Sequence, residues 1–144
     1  MKVLVTAVEG NKQVSNNIYR LSAEFESEIK PGQFFMLKTT DNSFLLPRPI
    51  SINDVNGNIV SFLYRIEGQG TKKISSLSKN DELQLFGPLG NGFDLDKLKG
   101  KVAIIGGGIG IAPLLYLCKL LGKKADVYLG YKDRENMYII DEFK

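Results

Sequence analysis

Histidine is absent from this chain, and cysteine occurs once, as Cys118. Without imidazole there is no zinc site of the usual types, no Ser–His or Cys–His pair, and no histidine acid–base chemistry. A single thiol excludes an intramolecular disulfide and any metal or iron–sulfur site built from several thiolates. Long hydrophobic runs are missing too: no stretch approaches the ~20 apolar residues needed to span a bilayer. The short apolar run from Met1 to Val8 soon meets Glu9, Gly10 and Asn11. It has no small-residue cleavage pattern, so the reading expects no secretory leader, no membrane and a cytoplasmic location. Excess charge of one sign is also scarce. Nineteen basic and 16 acidic residues leave +3, too small and too scattered for nucleic acid, though compatible with a phosphate-bearing ligand. Chemistry in such a chain is expected to come from a cofactor, with no catalytic side chain and no metal site of its own.

What is present is the composition of a globular protein: 43% hydrophobic and 24% charged residues in 144. The first ninety-odd residues read as short strands between turn signals. Residues 2–8 are β-rich, and Gly10-Asn11 supplies turn chemistry that ends the strand. Tyr19, Leu21, Ala23 and Phe25 alternate with Arg20, Ser22 and Glu24, as in a half-buried strand. Pro31-Gly32 makes a turn, 33–39 is apolar, and 50–53, 59–66 and 82–86 supply three more strands. This spacing predicts a barrel or sandwich.

Near Gly100 the pattern changes. Val102-Ala103-Ile104-Ile105 does not alternate, as expected of a parallel strand buried on both faces. After a glycine cluster, Leu114, Leu117, Cys118 and Leu121 mark one face of a helix. Pro113 suits its first turn and Gly122 the position past its end. Residues 126–131 read as a second buried strand. One β–α–β unit does not make a doubly wound domain, so the reading expects the second domain to be incomplete.

Four segments could carry chemistry. In Leu46-Pro47-Arg48-Pro49-Ile50-Ser51-Ile52, two prolines stiffen the chain around one arginine. A guanidinium held this way can meet a diphosphate through two parallel hydrogen bonds, and Ser51 can reach the edge of a planar heterocycle. An edge strand with a solvated arginine accounts for the same residues. In the second segment, Leu63, Tyr64 and Arg65 precede Gly68-Gln69-Gly70-Thr71. Here Thr71 is a candidate N-cap of a short helix reaching Leu77, whose amino end attracts anions. A capped connecting helix is the alternative. Gly87-Pro88-Leu89-Gly90-Asn91-Gly92-Phe93 reads as a double turn closing the barrel.

The fourth segment, Gly106-Gly107-Gly108-Ile109-Gly110-Ile111-Ala112-Pro113, lies between strand and helix, where bare N–H groups can receive a diphosphate. It departs from Gly-x-Gly-x-x-Gly, because Ile111 or Pro113 stands where the third glycine would be. Cys118, on the apolar helix face, is a buried small hydrophobe in this reading. Lys72-Lys73 and Lys123-Lys124 are solvated helix ends.

The four motifs, in this order, resemble the ferredoxin reductase-like flavoproteins. Within them, the chain is similar to the electron transfer subunits of NAD-dependent, two-subunit bacterial dihydroorotate dehydrogenases. Arg48-Pro49-Ile50-Ser51 matches the motif common to the superfamily. The combination of 87–93 with 106–113 is narrower.

The resemblance implies an antiparallel FAD-binding β-barrel over residues 1–98. A partial, Rossmann-like NAD-binding α/β domain follows over 99–144. FAD would lie along Arg48, Pro49, Ile50 and Ser51. Leu63, Tyr64 and Arg65 would line its ring and ribityl side, with Gly70 and Thr71 at phosphate. Gly106, Gly107, Gly108 and Gly110 would face NAD in a weak or incomplete site. The implied partner is an FMN-containing dihydroorotate dehydrogenase catalytic subunit in pyrimidine biosynthesis, reached through a 2Fe–2S cluster. The four cluster cysteines of the family are not present in this sequence, so the chain is not expected to complete the electron path alone. A free-standing NADH-dependent flavin reductase and a cofactor-free interaction module are the rival readings.

Overall fold

The computed structural model describes residues 2–41 and 45–144. Met1, counted above in the amino-terminal apolar run, lies outside them. Six strands form a closed antiparallel barrel: β1 (Lys2–Ser15), β2 (Ile18–Glu24), β3 (Phe34–Thr39), β4 (Arg48–Asn56), β5 (Ile59–Arg65) and β6 (Glu82–Leu89). Their order around the barrel is β1-β2-β5-β4-β3-β6. A short helix, α1 (Gln69–Ser75), connects β5 to β6.

Alternation fills the barrel. Leu21 and Ala23 on β2, Phe35 and Leu37 on β3, and Leu83 and Leu85 on β6 all point inward and are buried. Phe35 stands edge-on to Phe25 and Phe62, with ring centroids 4.8 and 5.6 Å away. Each such buried side chain contributes about 1.5–3 kcal/mol.

Two local expectations fail. β1 does not stop at Gly10-Asn11 but passes through both, slipping register between Val8 and Gly10. The slip absorbs the glycine, and the Asn11 amide donates to the carbonyls of Ile74 and Leu77 at the end of α1, both at 2.9 Å. The segment 87–93 is not wholly a turn, since β6 continues to Leu89. Only Gly90 and Gly92 in that segment take positive φ.

The remainder is a β–α–β unit: β7 (Val102–Gly107), α2 (Leu114–Leu121) and β8 (Ala125–Gly130). β7 and β8 pair in parallel. Ile104 lies under Leu117 and Cys118 of α2, with Val127 of β8 beside them. The other face differs from the expectation of burial on both sides. Ile105 is 76% exposed and Tyr128 61%, because α2 covers one face and, among the described residues, nothing packs on the second. A shared cluster of Ile18 and Leu63 from the barrel with Ile111, Ala112 and Tyr138 seats the unit against β2 and β5. Among the described residues, no helix is long and apolar enough to cross a membrane.

Candidate functional site

β4 and β5 are antiparallel neighbours, with Ile52 opposite Phe62. The chain running back from Ile52 to Arg48 therefore lies beside the chain running on from Phe62 to Arg65. Their ends form one wall of a cleft of about 490 Å³. Arg48, Pro49, Ile50 and Ser51 line it from β4, and Leu63, Tyr64 and Arg65 from β5. Ile109, Gly110, Ala112 and Pro113 form the facing wall, with Thr71 at one end. Thus the two arginine segments converge on one space, and the glycine-rich segment closes it. A second cavity of similar volume, about 510 Å³, is lined by Lys2, Thr6, Glu24 and their neighbours and holds none of these motifs.

Each contributor has a distinct local basis. The Arg48 guanidinium passes over Gly70, where a Cβ would stand 2.1 Å from Nε. Arg65 is partly neutralised by Glu67, 3.7 Å away. Thr71 is not the N-cap: Gly68 holds that position and Thr71 sits in the first turn of α1. Its hydroxyl accepts from the N–H of Glu67 (2.9 Å) and of Gly68 (3.2 Å) and donates to the Gly68 carbonyl (3.0 Å). The side chain thereby shapes the glycine turn. Tyr64 is 2% exposed, and its hydroxyl donates to Asn11 Oδ1 at 3.2 Å. Burial pushes the phenol up, the Asn11 bond opposes this, and Tyr19 adds to it. The tyrosine supplies a wall here, while its proton stays in place.

The glycine-rich segment divides its tasks. A Cβ on Gly106 would lie 2.6 Å from Leu114 Cδ1 and 3.1 Å from Ile111 Cγ2, so this glycine lets the helix pack on the strand. Gly107 ends β7 and lines neither cavity. Gly108, at φ +53°, opens onto a smaller cavity of about 250 Å³ with Arg65, Tyr131, Lys132 and Tyr138. Burial raises the Tyr138 phenol, and the nearby Arg65 charge pulls the other way. Gly110 alone of the four glycines lines the main cleft. Arg65 borders both cavities.

Two residues that matter to this geometry were not singled out from the sequence. Asn53 is fully buried, and its Nδ2 donates to the Ala112 carbonyl at 2.9 Å. Asp54 forms an ion pair with Lys119 of α2. The available signal was two successive polar residues interrupting an apolar strand. Cys118 lies in the α2 core, 8% exposed, and burial raises its thiol.

No protein-family model matches the chain. It is 46% identical over 132 residues to the electron transfer subunit of dihydroorotate dehydrogenase B (NAD(+)) from Clostridium acetobutylicum, covering 91% of this chain and 54% of that protein. The Clostridium perfringens subunit of the same name is 46% identical over 140 residues, covering 94% of this chain and 55% of that protein. This chain is homologous to those electron transfer subunits. It spans about half the length of the curated relatives it matches.

Among solved structures, an NADH-dependent reduced ferredoxin–NADP oxidoreductase superposes with a TM-score of 0.84 at 22% identity, over 98% of this chain and 53% of the other. Phthalate dioxygenase reductase gives 0.84 at 19%, over 97% and 47%. A flavohemoglobin from Malassezia yamatoensis with bound FAD and heme gives 0.80 at 17%, over 99% and 42%. At these identities the likeness is one of fold. The closed barrel followed by a partial parallel α/β sheet is the ferredoxin reductase-like fold.

Proposed function

We propose that this chain binds FAD in the cleft between the barrel and the glycine-rich segment. In this role it is the electron-transfer component between NAD and a dihydroorotate dehydrogenase partner in pyrimidine biosynthesis. One observation carries the reading: Arg48, Ser51, Tyr64, Arg65, Thr71 and Gly110 surround a single cleft. Its volume lies in the range of small-molecule sites.

The residues present fit the group. Arg48 has no ion-pair partner among the described residues and lies over Gly70, where the absent Cβ leaves it room. It would hold the diphosphate, with Gly70 and Thr71 beside a phosphate. Ser51 and the backbone of 49–51 would meet the edge of the flavin ring. Leu63 and Tyr64 would cover the ring and ribityl side. Bound FAD supplies exchange of hydride with nicotinamide and of single electrons with a one-electron partner. The protein's own part is to bind, orient and exclude water.

The pyridine nucleotide would enter beside Gly108, where the smaller cavity opens at the carboxyl ends of the two parallel strands. The partner would be the FMN-containing catalytic subunit, with a 2Fe–2S cluster on the route. Cys118, on the packed face of α2, would not be a ligand for it.

The test is the visible absorption spectrum of purified protein, followed by FAD titration monitored by flavin fluorescence. Flavin bands, or saturable uptake of added FAD, are the expected result. A colourless protein that takes up none sinks the reading.

A further inference from the structure

β4 slips register between Ile52, opposite Phe62, and Asp54, opposite Ser61. Ile52 and Val55 both pack into the barrel core, one residue further apart than strict alternation allows. The extra residue turns Asn53 and Asp54 together to the outside, as a bulge does. Both then reach the α2 segment. The Asn53 amide donates to the Ala112 carbonyl just before the helix, and Asp54 pairs with Lys119 about two helical turns further on. A single irregularity in one barrel strand thus grips the facing wall of the cleft at two points.

Stability alone does not account for the arrangement. Among the described residues, Asn53 Oδ1 and Asp54 Oδ1 are buried without a hydrogen-bond partner, and a buried unpaired acceptor costs free energy. An apolar side chain would remove that cost but leave the Ala112 carbonyl without its donor. What the amide adds is direction. It fixes the carbonyl at the end of the segment whose Ile109, Gly110, Ala112 and Pro113 form the cleft wall.

We infer that Asn53 is a positioning residue. It sets how far the glycine-rich wall stands from the β4–β5 wall, and so governs the approach of a pyridine nucleotide to FAD more than the affinity for FAD, whose charged and hydroxyl-bearing contacts come from β4, β5 and α1. This rests on the FAD reading above.

Asn53→Ala and the near-isosteric Asn53→Leu test it in the full chain. The first readout needs no flavin: amide hydrogen exchange over residues 109–115 should quicken by at least ~10-fold in both variants, while barrel amides are unchanged. The second compares two flavin properties. FAD affinity should stay within about threefold, while bleaching of bound flavin by NADH slows ~10–100-fold, the effect of misplacing reacting groups by about an ångström. Unchanged exchange at 109–115 overturns the inference. So does unfolding of both variants, which would make Asn53 a stability residue alone. If the wild-type chain takes up no FAD, the functional reading fails, and the exchange measurement still decides whether Asn53 holds the wall.

Discussion

The Arg48 guanidinium occupies the space that a side chain on Gly70 would fill, with Nε 2.1 Å and Nη2 2.7 Å from the position of a Cβ there. The glycine lies in the first turn of α1, where alanine would favour the helix by up to about 1 kcal/mol. Gly70→Ala is therefore expected to keep the thermal midpoint while displacing Arg48. FAD affinity should fall by ~1.5–3 kcal/mol, the range for a hydrogen bond to a charged group, and Arg48→Ala should fall equally. The double variant should match Arg48→Ala alone, since both act through one side chain. Calorimetric titration of the three variants checks this, and additive losses would refute the shared cause.

Tyr64 carries a pH prediction. Its phenol pKa is raised above the ordinary 10.0 by burial, so the unfolded chain loses this proton first as pH rises. The folded state then binds more protons than the unfolded one, and stability falls with increasing pH from about 10 upward. Below that pH the contribution is complete. Tyr64→Phe should cost about 0.5–1.5 kcal/mol near neutrality, through loss of the bond to Asn11. Its deficit should shrink above pH 10. Thermal melts of both proteins between pH 8 and about 11 decide it; a constant deficit across that range would count against the assignment.

The first strand and the glycine-rich run show what the sequence could and could not convey. Leu21, Ala23 and Phe25 announced β2 by alternation, and Leu114, Leu117, Cys118 and Leu121 announced α2, because one buried face imposes its period on the sequence. That Arg48 and Arg65 should face one space was what the family resemblance implied, and both line one cleft. Gly10-Asn11 misled because a strand can carry a glycine through a register slip, and the use of Asn11 depends on α1 carbonyls 63 and 66 residues away. Thr71 misled by one turn, since Gly68 caps the helix through its backbone. Asn53 showed in the sequence only as a polar residue in an apolar strand, because its partner is a backbone carbonyl, which has no residue type to read. Ile105 was expected inside, although an apolar run alone does not say how many layers cover it.

Gly106 gives a stability prediction in place of a binding one. Gly106→Ala forces a methyl against Leu114 and Ile111, which should cost ~1–3 kcal/mol of unfolding free energy. Leu114→Ala in the same background should restore part of it by vacating the nearer contact. Urea unfolding of the single and double variants measures this; full stability of Gly106→Ala would show that α2 can shift freely.

Cys118 should resist modification. Burial raises its thiol, so less thiolate is present at mildly alkaline pH than for a free cysteine, and access is limited as well. Alkylation at pH 8, followed by mass spectrometry, should be slow in the native protein and should reach the unfolded-chain rate in urea. Equal rates in both states would contradict the burial.

The closed barrel and the two-stranded sheet differ in stiffness, and the cleft runs along their seam. On the barrel side each strand is laced to neighbours on both flanks. On the other, among the described residues, a single pair of strands and one α-helix carry the wall. Breathing of the seam must come mainly from that lighter half. A molecule bridging the two sides therefore acts as a splint: it leaves the ring of strands nearly as it was and stiffens the appendage.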